Sequence, residues 1–364
     1  MLRIDSPFHG AVLNTNHGQV ADGALRISVT GQCPPYGKVT VNGEPARIAG
    51  SRFEADVSLA ERETDITAVY QGSLGRQEHT VRVVWDRNSF PRYRFSIDDN
   101  SFWLRDVAQK QYDSLFDCFY LAILRDLNRE YGAKFTVNIY YETQEEFGED
   151  QFFITDFPDR YRGEFEASAD WLGLAFHAYA NRPDRPYQYA APEKLMGDMA
   201  MVEEQIVRFA GPQSLIPPTV IHWGMVLPEA IKPLYDHGVR VLSGFAQPGS
   251  TGFDVHYWLD DVRAEYLWRN DALKDFETGM VYSRVDIVCN NCPVEQVAAT
   301  LQPLTETPGN REIMDLFTHE QYFWPFYVRY IPDHAQRLDT AIRWVTERGY
   351  RPVWFHEGFM GAPE

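Results

Sequence analysis

Over residues 1–88 the chain alternates apolar and polar positions in short runs, at 24–29, 38–41, 52–57, 65–70 and 79–84. A period of two buries one face of a strand and wets the other. Turn signals such as Asn42-Gly43 and Gln71-Gly72 separate the runs, and an Asn-Gly pair between alternating runs is a hairpin signal. Short strands at this spacing predict a small all-β antiparallel sandwich for residues 1–88.

After Val84-Trp85-Asp86 the period changes. Leu115, Phe116, Phe119, Ile123, Leu127 and Tyr131 recur at helical spacing, predicting an amphipathic helix over 112–131 that stops at Gly132. A strand at 134–140 follows, then a strand at 171–176, a helix at 193–209, a strand at 219–221 and a helix at 228–237. Strands at 239–242 and 281–288, a helix at 294–301, a strand at 313–317, a helix at 335–348 and a strand at 352–355 complete the series. Strands alternating with helices imply a parallel sheet, and this many imply an α/β unit of (β/α) barrel or doubly wound type over residues 89–364. The polar and proline-bearing stretch Asp86-Arg87-Asn88-Ser89-Phe90-Pro91 marks the boundary.

Composition narrows the function. Of 364 residues, 44% are hydrophobic and 24% charged, as in a globular protein with a real core. Aromatic residues make up 14%, material for a core and equally for grooves that stack sugar rings. The net charge of −18 supplies no basic surface for phosphate, which argues against a nucleic-acid partner and against densely sulfated or uronic-acid-rich substrates. The start, Met1-Leu2-Arg3-Ile4-Asp5, has no apolar signal region, so the expected location is cytoplasmic unless a signal has been removed. No stretch approaches the ~20 apolar residues of a membrane span. Cys33 and Cys118 are isolated, while Cys289-Asn290-Asn291-Cys292 lacks the second ligand pair of a structural zinc site. It reads as a strand-to-helix turn with two packed or bridged thiols.

In parallel α/β folds, chemistry sits at the carboxyl ends of strands. Phe95-Ser96-Ile97-Asp98-Asp99 is an apolar run ending in two carboxylates, which need a cation or serve as acid and base. Trp171-Leu172-Gly173-Leu174-Ala175-Phe176 ends in His177, Pro218-Thr219-Val220-Ile221 ends in His222, and Ile313-Met314-Asp315-Leu316-Phe317-Thr318 ends in His319. One such histidine is ordinarily a satisfied core residue; three, beside an aspartate pair, point to a shared site.

This layout resembles the polysaccharide deacetylase (NodB-homology, carbohydrate esterase family 4-like) family over about residues 90–360. Phe176-His177-Ala178-Tyr179 with Pro183-Asp184-Arg185-Pro186-Tyr187, and Thr318-His319-Glu320-Gln321-Tyr322-Phe323, are similar to a divergent branch of it. The resemblance implies a distorted (β/α) barrel, a divalent metal, usually zinc, and an acetylated sugar or polysaccharide as substrate. Carried over, Asp98 is the general base, Asp99 and His177 are metal ligands and His319 is the general acid. The family's second histidine ligand follows the first by four residues, where this chain has Asn181. His222 is the expected third ligand, because a neighbouring parallel strand can aim an imidazole at the same point; His319 is the rival. The family's Arg-x-Pro-Tyr element is not recognisable. Upstream, Val39-Thr40-Val41-Asn42-Gly43 followed by Phe53-Glu54-Ala55-Asp56-Val57 resembles bacterial immunoglobulin-like accessory modules.

Two other readings are open. A barrel glycosidase would use two carboxylates flanking the sugar bond. Asp98 and Asp99, expected on opposite sides of a strand, make a poor pair, leaving Glu142, Asp315, Glu320 and Glu357 as candidates. A non-catalytic glycan-binding protein on a decayed deacetylase fold would account for Asn181.

Overall fold

The computed structural model describes residues 1–244, 248–249 and 252–364. The chain forms two compact units. The first comprises Met1–Phe90 together with Ala272–Glu277 and Ala362–Glu364; the second comprises Pro91–Asp271 and Thr278–Gly361.

The first unit is all β. One sheet runs Arg3–Ser6, Ala24–Gln32, Arg52–Leu59, Arg47–Ala49, with Gln19–Ala21 also paired to Ala24–Gln32. The other runs Val12–Leu13, Gly75–Trp85, Glu63–Gly72, Gly37–Val41, Glu44–Pro45. Alternation in sequence becomes alternation in burial: Leu25, Ile27 and Val29 are buried between exposed or half-buried neighbours, as are Phe53, Ala55, Val57 and Leu59. Asn42 and Gly43 both take positive φ (50° and 89°), the conformation of a two-residue hairpin turn. The segment near residue 273 joins this unit through a Lys274 N–H to Gly10 carbonyl bond (2.8 Å) and an Ala11–Leu273 bridge.

The second unit is mixed α/β. Its main parallel sheet runs Leu172–Ala180, Phe135–Thr143, Arg92–Asn100, Ile313–His319, Ile287–Val288, so the chain's first strand here lies at the centre. Val241–Gly244 and Val281–Arg284 pair in parallel in a separate sheet. Among the described residues, isolated backbone bonds link these parts where the expected barrel would have a continuous ladder. Ile216 N–H reaches Leu174 (2.9 Å), Ser243 N–H reaches Thr219 (2.7 Å) and Asp286 N–H reaches Asp315 (2.9 Å). The strand expected at 219–221 does not form. Pro217 and Pro218 have no N–H to donate, so that run crosses the gap with single bonds and ends in a short 3-10 turn, His222–Gly224.

The helix expected over 112–131 begins later, at Phe119–Tyr131. Ser114 and Asp117 satisfy each other's backbone in a capping box that closes a 3-10 turn over Leu115–Asp117 first. Gly132, at φ 69°, ends the helix as its sequence position predicts. A helix not foreseen, Phe102–Lys110, follows the central strand directly. The C-x-x-C segment is a turn between Ile287–Val288 and the Val297–Leu301 helix, and all four cysteines are free and buried. Among the described residues, no helix is long and apolar enough to cross a membrane.

Candidate metal centre

The central strand is irregular where its chemistry begins. Ile97 pairs with Val137 and Asn100 with Ile139, so Asp98 and Asp99 together oppose a single residue, Asn138. The next strand repeats the device: Ile139 pairs with Phe176 and Tyr140 with Ala178, leaving His177 as an extra residue. Each is a β-bulge, which breaks strict alternation and re-aims side chains. Asp99 sits at φ 59°, a left-handed conformation that aspartate tolerates better than most residues. The expectation that Asp98 and Asp99 diverge to opposite sides is therefore corrected. His177 Nε2 lies 3.1 Å from Asp99 Oδ1 and 3.8 Å from Asp98 Oδ2.

His222 completes the cluster from the turn after Pro217-Pro218. Its Nδ1 lies 3.0 Å from His177 Nε2 and 3.5 Å from Asp99 Oδ1. Its Nε2 is 3.1 Å from the carbonyl oxygen of Asn181, to which it can donate, leaving the Nδ1 lone pair facing the other two residues. A ligating imidazole is commonly fixed in this way through its other nitrogen. Asn181 thus contributes its carbonyl to the site where an imidazole was expected. One ligand atom each from Asp99, His177 and His222 all fall within 4.8 Å of one another, and the three residues are buried. Such a set can hold a metal ion.

The electrostatics suit that use at Asp99 and His222, whereas at His177 the lowering by burial is outweighed by the Asp98 and Asp99 carboxylates, which push the imidazole up. Burial pushes the Asp99 carboxyl up, but the His177 hydrogen bond and the imidazoles of His319, His222 and His177 more than reverse this, holding it well below the ordinary carboxylate range. Burial and the neighbouring His177 push His222 down to about 4, so at neutral pH it keeps a free lone pair. Burial drives Asp98 the other way, upward, against the imidazoles of His177 and His319.

Two residues of the Phe135–Thr143 strand complete the arrangement and were not singled out from sequence. Asn138 Nδ2 donates to Asp98 Oδ1 at 2.6 Å. The Tyr140 hydroxyl donates to Asp99 Oδ1 and also stands 3.1 Å from His222 Nδ1. They occupy alternate positions of one apolar strand, and a buried Asn two residues from a Tyr is a polar pattern that could have flagged them.

His319 stands apart from the buried trio. Its Nε2 is 4.0 Å from Asp99 Oδ2, and its side chain is 27% exposed where that of His222 is 6% exposed. It pairs in register with Asp98, and its Nδ1 is 3.0 Å from Asn290 Oδ1 on the C-x-x-C turn. Asp98, Asp99, His177, His222 and His319 all line one cavity of about 610 Å³, with Asn181, Trp223, Asp254, Tyr322, Tyr327 and Arg329 further along its wall.

Glu142, Asp315, Glu320 and Glu357 are not among the residues lining that cavity. Asp315 is buried in an ion pair with Arg94 (2.5 Å) and accepts from Ser243 and Ser283. Arg94 also donates to Thr219, which ties the run leading to His222 down to the central strand. Glu320 accepts from the backbone N–H groups of Ser101, Phe102 and Trp103, capping the Phe102–Lys110 helix.

The sequence matches no protein-family profile and no curated protein. Among solved structures, the peptidoglycan N-acetylglucosamine deacetylase Bc1960 is similar at 13% identity and a TM-score of 0.40, over 76% of this chain and 93% of that one. A family 4 acetyl xylan esterase from Clostridium thermocellum, in complex with a cobalt ion, is similar at 14% identity and a TM-score of 0.39, over 74% and 94% of the two chains. Both likenesses are weak.

Proposed function

We propose that the chain is a metal-dependent hydrolase that removes acetyl groups from an acetylated carbohydrate. One observation carries the reading: a buried carboxylate and two imidazoles, Asp99, His177 and His222, converge within 4.8 Å, and a second carboxylate and a third imidazole open onto the same cavity. The carbohydrate class comes from the sequence resemblance around Asp98-Asp99, His177 and His319.

Asp99, His177 and His222 would hold the ion, and a three-residue N/O set of this kind fits zinc with a position left for water. When bound, zinc supplies Lewis acidity, lowering the pKa of water and polarising an acyl oxygen. Asp98 would receive a proton from the attacking water. It is buried, its carboxyl is pushed up, and Asn138 anchors Oδ1 while Oδ2 faces His177. His319, partly exposed at the cavity wall and held through Nδ1 by Asn290, would give a proton to the departing amine or alkoxide. An amide leaving group depends on that proton most. The all-β first unit, with its two sheets, is read as an accessory module of the immunoglobulin-like kind.

The test is acetate release from a panel of N- and O-acetylated oligosaccharides. The untreated protein and the protein resupplied with zinc after chelation should release acetate, and the chelated protein should not. Release that survives complete chelation, or none from any substrate with zinc bound, rejects the reading.

A further inference from the structure

Trp223 follows His222 in the chain and lines the same cavity, yet it is 39% exposed. Its backbone is left-handed, at φ 64° and ψ 5°, a conformation disfavoured for a residue that carries a Cβ. The following residue, Gly224, is also left-handed, and a Cβ there would meet Val255 Cγ1 at 2.7 Å. This tight double turn lets one short segment send His222 into the buried cluster and leave an indole on the cavity wall. Burial does not account for a large apolar ring held at a conformational cost beside a polar site, and strain of this kind points to function.

The ring is also braced. The Arg185 guanidinium lies over it, 5.2 Å from the ring centroid. Arg185 is itself held by two contacts to Asp254, Nη1 to Oδ1 at 2.9 Å and Nη2 to Oδ2 at 2.5 Å. Asp254 lines the cavity too, and the Tyr257 N–H bonds the Gly224 carbonyl at 2.8 Å, fastening its segment to the turn. A braced indole is a preorganised surface, with less ordering to do on binding than a free one. Its negative ring face attracts the weakly positive C–H face of a pyranose.

We propose that Trp223 is the sugar-stacking platform of the cavity, the residue that selects a pyranose-borne acetyl group over a bare acetyl ester. The assignment rests on the deacetylase reading and deepens it, because it makes the glycan ring, beyond the acetyl group, a determinant of turnover. A small acyl ester reaches Asp98 and the metal-binding cluster without covering Trp223; a glycan covers it.

The experiment compares wild type, Trp223→Ala and Trp223→Phe, all zinc-loaded, on two glycans and one small ester. The glycans are a β-1,4-linked N-acetylglucosamine tetramer and an O-acetylated xylotetraose; the ester is 4-nitrophenyl acetate. Trp223→Ala should lose about 10–100-fold in kcat/KM on a glycan substrate while changing less than about 3-fold on the ester. Trp223→Phe should recover part of the loss, and the retained ester rate shows that both variants are folded. Equal losses on glycan and ester, or no loss on glycan, overturn the platform. If wild type cleaves neither glycan, the deacetylase reading fails separately, and calorimetric affinity for the same tetramers still decides the point. Weaker binding by Trp223→Ala than by wild type supports the platform; equal binding, or none by wild type, overturns it.

Discussion

His177 Nε2 lies 3.1 Å from Asp99 Oδ1 although a whole strand, Phe135–Thr143, separates the two in the sheet. Both residues occupy bulges, and Tyr140 of the intervening strand reaches the same carboxylate oxygen. The contact therefore depends on the backbone as much as on the two side chains. It places a carboxylate held ionised beside an imidazole, with His222 Nδ1 3.0 Å from that imidazole.

The two rival histidines should fail differently. His222→Ala removes an atom of the buried cluster and is expected to lose bound zinc together with activity. His319→Ala should keep the metal and lose turnover by about 10²–10⁴-fold, most severely on amide substrates. Elemental analysis alongside acetate-release kinetics separates the two, and metal lost from His319→Ala but kept by His222→Ala would reverse the assignment.

Glu320 should be irreplaceable by its own amide. Its Oε2 accepts from Ser101 and Phe102 N–H at 2.7 and 3.0 Å, and its Oε1 from Trp103 N–H and Trp324 Nε1–H at 2.6 and 2.9 Å. Ser101 offers no side-chain cap in its place. In Glu320→Gln one oxygen becomes an NH₂ group facing two donors, so two buried N–H groups lose their acceptor. A loss of about 2–4 kcal/mol in urea unfolding is expected.

Stability should fall on mild acidification, in part through His334. Burial, with Arg337 beside it, pushes this imidazole down from 6.5 to about 3; the nearby His319 and Asp333 act less strongly. Between those values the unfolded chain binds a proton that the folded chain refuses, so stability is full above about 6.5 and is lost as pH falls through the window. The urea midpoint of His334→Gln should vary less steeply between pH 7 and pH 5 than that of wild type. Parallel pH slopes would remove His334 from the account.

A chain shortened to begin at Pro91 should not be a clean excision. Leu273 is 3% exposed and bridges Ala11, and Lys274 bonds Gly10, so removing residues 1–90 strips partners from a segment far along the sequence. Such a chain is expected to be poorly soluble, and Leu273→Ser should improve the yield. Good solubility without that substitution would show that the segment needs no partner.

Much of the site was legible in the sequence because strand ends are legible. Apolar runs finishing in Asp98-Asp99, His177 and His319 gave strands that do carry those residues at or near their carboxyl ends. The bulges were not legible: alternation assigns faces only while the ladder is regular, and nothing in Ile97-Asp98-Asp99-Asn100 announces an extra residue. His222 was expected on a strand and comes instead from a turn, because two prolines deny that run its ladder. Glu320 read as a spare carboxylate, since the helix it caps, Phe102–Lys110, went unrecognised and so had no N-terminus to satisfy.

The two bulges also change what kind of mutation threatens the site. A substitution on a regular strand alters one side chain and leaves its neighbours facing as before. Here Asp98-Asp99 against Asn138, and His177 between two paired residues, are each a single-residue surplus over the partner strand. Deleting either surplus residue would restore plain pleating and turn the remaining polar groups away from one another. The centre is thus written in residue count as well as residue identity, and a lineage could disarm or rebuild it through one-codon deletions and insertions while every apolar core position stayed the same.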